Sequence, residues 1–123
     1  MVDVSDEQFD QIISGAMDSL PPDRIEGLKN VAILYADNPS EEQLQKLRLR
    51  GDQLLLGLYE GIPLTRRNSG YNFVLPDVIT LFKYPIMRVS HDLPSFATQV
   101  HKTLWHEIAH YYGLNHTEIY ARE

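Results

Sequence analysis

The chain has 123 residues, 43% of them hydrophobic and 23% charged. These proportions fit one globular domain with a real core, not a disordered chain or a pair of domains. Its 17 acidic and 11 basic residues leave a net charge of −6, which argues against a nucleic-acid surface. With no cysteine present, disulfides and thiolate metal sites are excluded, and any metal must be held by imidazole or carboxylate.

In chain order, the acidic N-terminal stretch MVDVSDEQFD lacks the apolar centre of a signal peptide. No apolar run approaches the roughly 20 residues of a membrane span, so a cytoplasmic location and no membrane partner are expected. Ser5 and Gln8 have the spacing of an S-x-x-Q capping box. Phe9, Ile12, Ile13, Ala16, Met17 and Leu20 follow at helical spacing and predict a first helix, which Pro21 and Pro22 stop. A polar turn is expected next. Residues 31–35 (VAILY) form a continuous apolar run that predicts a buried strand.

A second capping box, Ser40 to Gln43, starts a short helix expected to run through Leu44 and Leu47 to Gly51. Residues 54–64 (LLLGLYEGIPL) are compatible with strand, turn and strand, with Gly57 and Gly61 as breakers. Residues 65–73 (TRRNSGYNF) predict an exposed loop turning at Asn68-Ser69-Gly70. Pro76-Asp77 opens a further strand, 78–84 (VITLFKY), which Pro85 ends or leaves at a sheet edge. Asp92 or Ser95 can cap the last helix, about 95–112, and Gly113 suits its left-handed C-terminal position. The succession predicts a single α/β (α+β) domain over 1–123, a small mixed sheet with helices packed against it.

The last helix carries the chemistry, in the stretch HEIAHYYGLNH. Residues four apart on a helix lie about 40° apart around its axis, so His106 and His110 point the same way and can share one ion. Glu107 sits beside them, where its carboxylate can reach a metal-bound water without being a ligand; H-E-x-x-H on a helix is the metalloprotease arrangement for that reason. Catalytic zinc wants a third protein ligand. Gly113 can break the helix at positive φ and turn the chain back, bringing His116 toward the metal. The full pattern, H-E-x-x-H-x-x-G-x-x-H, resembles the zinc signature of metzincin peptidases. H-E-x-x-H alone turns up by chance in roughly a few chains per thousand of this length, and the added glycine and histidine lower that by roughly a thousandfold. Val100, Leu104, Ile108 and Tyr111 give the helix an apolar stripe. Lone histidines on helices are usually structural or solvated, which is the expectation for His91 and His101. A structural zinc usually has four protein ligands, and here three are evident.

Beyond the motif neither large clan matches. Met1, Met17 and Met87 all precede the third histidine, so there is no metzincin methionine turn, and only Glu118 and Glu123 follow as gluzincin-type glutamates. With LLGLYEGIPLTRR at 55–67, PDVITLFKYPI at 76–86 and the C-terminal motif, the chain instead resembles the short bacterial zincin-like metallopeptidases, or minimal zincins. That resemblance implies a compact zincin core with the H-E-x-x-H helix under a small sheet. It also implies that the strand VITLFKY forms the upper rim of a cleft, where an extended peptide pairs with it. Members of that family often carry an acidic residue where this chain has His116. The histidine keeps a ligand, removes a negative charge and leaves the zinc more electrophilic.

The expected function is zinc-dependent hydrolysis of a peptide or protein substrate. His106, His110 and His116 would hold Zn²⁺, and Glu107 would act as general base toward the metal-activated water. Tyr111, Tyr112 and Tyr120 are the nearest candidates to stabilise the oxyanion, though tyrosines on a helix more often pack. The alternative is a non-catalytic zinc-binding or interaction module on the same scaffold, which would have no use for Glu107. Arg66, Arg67 and the basic residues of 46–50 read as a solvated face and not as a docking surface.

Overall fold

The computed structural model describes residues 2–28, 30–48, 54–61 and 76–113. Helix α1, Asp6–Asp18, starts where the sequence places its cap. Ser5 Oγ accepts from the Gln8 N–H at 3.1 Å, and Gln8 Oε1 accepts from the Ser5 N–H at 2.9 Å. Phe9, Ile13, Ala16 and Leu20 enter the core. Pro21 and Pro22 end α1, but the expected polar turn is instead a second short helix, α2, Pro22–Glu26. Proline opens it readily, because a first-turn N–H has no helical partner to lose.

Strand β1, Val31–Ala36, covers the VAILY run, yet it is not buried. It lies at the side of the sheet, with Leu34 50% and Tyr35 42% exposed. Helix α3, Glu41–Lys46, has the Ser40–Gln43 capping box and stops at Leu47, before the expected Gly51, with Arg48 at φ 55°. Of residues 54–64, Gly57–Glu60 form strand β2, which Gly57 opens, while residues 62–64 of the expected second strand lie outside the described residues. The expected loop 65–73 lies outside the described residues.

Strand β3, Asp77–Phe82, is followed directly by helix α4, Lys83–Arg88. The sequence expectation of a strand to residue 84 gives way here. Pro85 falls in the first helical turn, where its missing N–H costs no hydrogen bond. Helix α5, Leu93–Tyr111, is capped by Asp92: its Oδ1 accepts from the Ser95 N–H at 2.9 Å, and Ser95 Oγ accepts from the Asp92 N–H at 3.1 Å. No helix among the described residues is long and apolar enough to cross a membrane.

The three strands form a mixed sheet in the order β1-β3-β2. β1 runs parallel to β3 from Val31 opposite Asp77 to Ala36 opposite Phe82, and β2 runs antiparallel with Gly57 opposite Leu81. VITLFKY is therefore the middle strand. Both of its edges are taken by neighbours, so it cannot serve as the rim that pairs with a peptide. Among the described residues, β2 is the outer strand on the side away from β1. Alternation puts Ile79, Leu81, Gly57 and Tyr59 on one face of the sheet; α5 packs there, and α1 packs on α5, with its Phe9 ring also against Tyr35 of β1. Phe9, Ile79, Leu81, Phe96, Val100, Leu104 and Ile108 join in one core with no exposed surface. The result is a mixed α/β architecture in which α5 lies against β2 and β3.

Candidate metal centre

Helix α5 is held in place by its apolar stripe: Val100, Leu104, Ile108 and Tyr111 are all fully buried. That orientation turns the neighbouring face, at positions 99, 102, 103 and 106, toward β2. His106 and His110 sit one turn apart with ring centroids 5.0 Å from each other. One ligand atom from each of His106, Glu107 and His110 lies within 4.8 Å of the other two. Both histidines are partly exposed, whereas Glu107 is buried. Helix geometry thus brings together three of the four expected site residues. Gly113 has the left-handed conformation, φ 77°, and its N–H donates to the His110 carbonyl at 2.9 Å, closing the helix as its sequence position suggests. His116, the fourth, lies outside the described residues, as does Tyr120.

Glu107 is the unusual group. Burial pushes its carboxyl up to about 7, and a hydrogen bond from the Tyr59 backbone N–H to Oε1, at 3.0 Å, opposes that rise. Two imidazoles beside a buried carboxylate make surroundings that suit a small divalent cation. The cation's charge offsets the desolvation of the carboxylate, and imidazole is a good zinc ligand.

A cleft of about 340 Å³ opens beside these residues, lined by Leu55, Leu56 and Gly57 from β2 and its approach and by Gln99, Lys102, Thr103, His106 and Glu107 from α5. Gln99, Lys102 and Thr103 were not singled out from the sequence. Their signal was available: they lie three, four or seven residues before His106, on the same helical face. Gly57 was read only as a breaker. A Cβ there would lie 2.7 Å from Thr103 Cγ2 and 3.3 Å from Glu107 Cγ, so the glycine is required by the close approach of β2 to α5.

The tyrosines at the helix end are structural. Tyr111 Oη donates to the Gly27 carbonyl at 3.3 Å, and Tyr112 Oη donates to the Arg24 carbonyl at 2.6 Å. Together they pin α2 against the end of α5, and neither hydroxyl turns toward the cleft. Of the lone histidines, His101 is exposed with Nδ1 3.0 Å from Ser19 Oγ, and His91 is exposed at the start of the helix cap.

No curated protein matches the chain. A family model described as zincin-like metallopeptidase matches residues 28–123, which contain the whole sheet, α3, α4, α5 and the histidine motif. With this helix, this sheet and that match, the chain belongs to the zincin-like metallopeptidase family.

Proposed function

We propose that the protein is a zinc-dependent peptidase in which His106, His110 and His116 hold the metal and Glu107 is the general base. The supporting observation is the buried Glu107 carboxylate beside two imidazoles, all within 4.8 Å, with His106 and Glu107 lining an open cleft. Membership of a metallopeptidase family supports the same reaction class.

Bound zinc would supply Lewis-acid activation of water and of the substrate carbonyl. The chain's own groups do the rest. Glu107 takes the proton from the attacking water and returns it to the leaving amine as the peptide bond breaks. An extended substrate enters the cleft that opens beside β2 and α5 and lies along the outer side of β2, outermost there among the described residues, pairing through main-chain groups other than the Tyr59 N–H that Glu107 engages. The protein acts on a peptide or protein substrate in the cytoplasm.

The test is cleavage of a degenerate peptide library by the zinc-loaded protein, read by mass spectrometry, with Glu107→Gln alongside. Cleavage by wild type and a loss of roughly a thousandfold or more in the variant, with zinc retained, is the expected result. Full zinc occupancy without cleavage of any peptide would favour a non-catalytic zinc module on the same scaffold.

A further inference from the structure

The structure points to a positioning device for Glu107 outside the helical motif: we propose that the backbone N–H of Tyr59 fixes the carboxylate for proton transfer. In its role, though not in its geometry, this inference rests on the peptidase reading above. In an antiparallel ladder only alternate residues turn their N–H and C=O groups to the partner strand. The Phe82 N–H donates to the Leu56 carbonyl at 2.9 Å, which puts Leu56, Leu58 and Glu60 in the bonded set with β3. Tyr59 is out of phase with them, and its N–H points away from β3, toward α5.

That outward N–H meets Glu107 because β2 lies as close to the helix as a backbone can. At Gly57 a single added carbon would press on Thr103 Cγ2 at 2.7 Å and on Glu107 Cγ at 3.3 Å. Two residues further along the same edge, Tyr59 N–H reaches Glu107 Oε1 at 3.0 Å. A glutamate side chain is otherwise free to turn about three bonds. Here one carboxylate oxygen is fixed by a donor that no side-chain rotation can move. The other oxygen is left to exchange the proton. Tyr59 is thus a positioning residue that acts through its main chain. Its own hydroxyl is engaged elsewhere, donating to Asp77 Oδ2 at 2.6 Å.

Two measurements test this. The first is amide hydrogen exchange by NMR on the metal-free protein, comparing wild type, Glu107→Gln and Glu107→Ala. The Tyr59 amide is expected to be protected in wild type and in Glu107→Gln, whose side-chain oxygen still accepts. In Glu107→Ala it should exchange roughly tenfold faster, the factor set by about one hydrogen bond, while the Leu58 and Glu60 amides stay unchanged. Equal Tyr59 exchange in all three proteins would overturn the proposal.

The second measurement replaces the residue 59 amide with an ester, by incorporating the α-hydroxy analogue of tyrosine through stop-codon suppression. The side chain stays, the N–H goes, and the Leu58 carbonyl becomes a weaker acceptor toward β3. The zinc-loaded ester protein is expected to lose roughly 10- to 100-fold in kcat, with KM and zinc content little changed. The Glu107 carboxyl carbon resonance should also shift in the metal-free ester protein, a readout that stands even if Glu107→Ala does not fold. An ester protein with wild-type kcat and an unmoved resonance would overturn the proposal. If wild type itself cleaves nothing, the peptidase reading fails, while the exchange and resonance data still decide the tether.

Discussion

Gly57 and Thr103 stand so close that β2 has no room for a side chain over α5: a Cβ on the glycine would lie 2.7 Å from Thr103 Cγ2. Leu81 Cδ2, at 3.2 Å, closes the other side. Gly57→Ala is therefore expected to destabilise the fold by about 1–3 kcal/mol through overpacking, read as a lower urea midpoint with an unchanged slope. Removing the offending methyl with Thr103→Ser should restore part of that loss in the double variant. A Gly57→Ala midpoint equal to wild type would show that strand and helix are not in this contact.

Glu107 makes the metal-free protein sensitive to pH, with a sign that can be worked out. Burial raises its carboxyl to about 7, above the unfolded value, so the folded chain holds that proton more tightly. The stability this contributes is fully present below the unfolded pKa and is lost as pH rises through the folded one. Glu107→Gln keeps the shape and an acceptor for Tyr59 but carries no charge. It should be more stable than wild type above pH 7, by on the order of 3 kcal/mol, with the difference shrinking toward zero below pH 4. Thermal melts of both proteins across pH 4–8, with chelator present, would read it. A constant offset across that range would contradict the assignment.

Tyr112 provides a separation of stability from activity. Its hydroxyl donates to the Arg24 carbonyl at 2.6 Å, and burial holds its phenol above the ordinary tyrosine range. Tyr112→Phe is expected to cost about 1 kcal/mol by loss of that bond. Peptide hydrolysis at a temperature where both proteins are folded should stay within roughly threefold of wild type. A much larger fall in kcat, of the size seen when an oxyanion donor is removed (roughly 100-fold or more), would return this hydroxyl to the catalytic machinery.

Lys83 ties the end of β3 to the start of α1. Its Nζ lies 2.6 Å from Asp6 Oδ1 and 3.8 Å from Asp37 Oδ1, with the lysine side chain 9% and that of Asp6 67% exposed. The Asp6 hydrogen bond, against the opposing effect of burial, raises the ammonium above its ordinary value. That stability is fully present below the unfolded lysine pKa and is lost only as pH rises through the folded one, so it is constant across neutral pH. Solvent screens the exposed Asp6, and Asp6→Asn should cost only about 1 kcal/mol at low ionic strength and less in about 1 M salt. A salt-independent loss several times larger would mean that the pair is more enclosed than this geometry allows.

Local rules carried much of the fold. The caps at Ser5 with Gln8 and Ser40 with Gln43 depend on neighbours three residues apart, and both form as their spacing suggests. The stripe of Val100, Leu104, Ile108 and Tyr111 fixes how α5 faces the core, and with it where His106, Glu107 and His110 point. Long-range pairing was not legible. VAILY looks like an inner strand and VITLFKY like an edge or cleft rim, whereas among the described residues the pairing puts β3 between two neighbours and β1 outside. Pro85 was read as a strand breaker because its tolerance in a first helical turn depends on a helix that residues 83–88 signal only weakly. The bond between Tyr59 and Glu107 spans 48 residues and uses a main-chain donor, so no side-chain pattern could announce it. His116 was singled out by spacing alone and lies outside the described residues.

The proposed chemistry depends on a zinc ion held by His106 and His110 of α5 and by His116, three residues past Gly113. Anomalous diffraction at the zinc edge, from crystals of the zinc-loaded protein, tests it most directly. One strong peak is expected about 2.0–2.1 Å from a nitrogen of each of His106, His110 and His116, with Glu107 near but not bound. A peak elsewhere, or zinc on α5 with Glu107 as a ligand in place of His116, would contradict it.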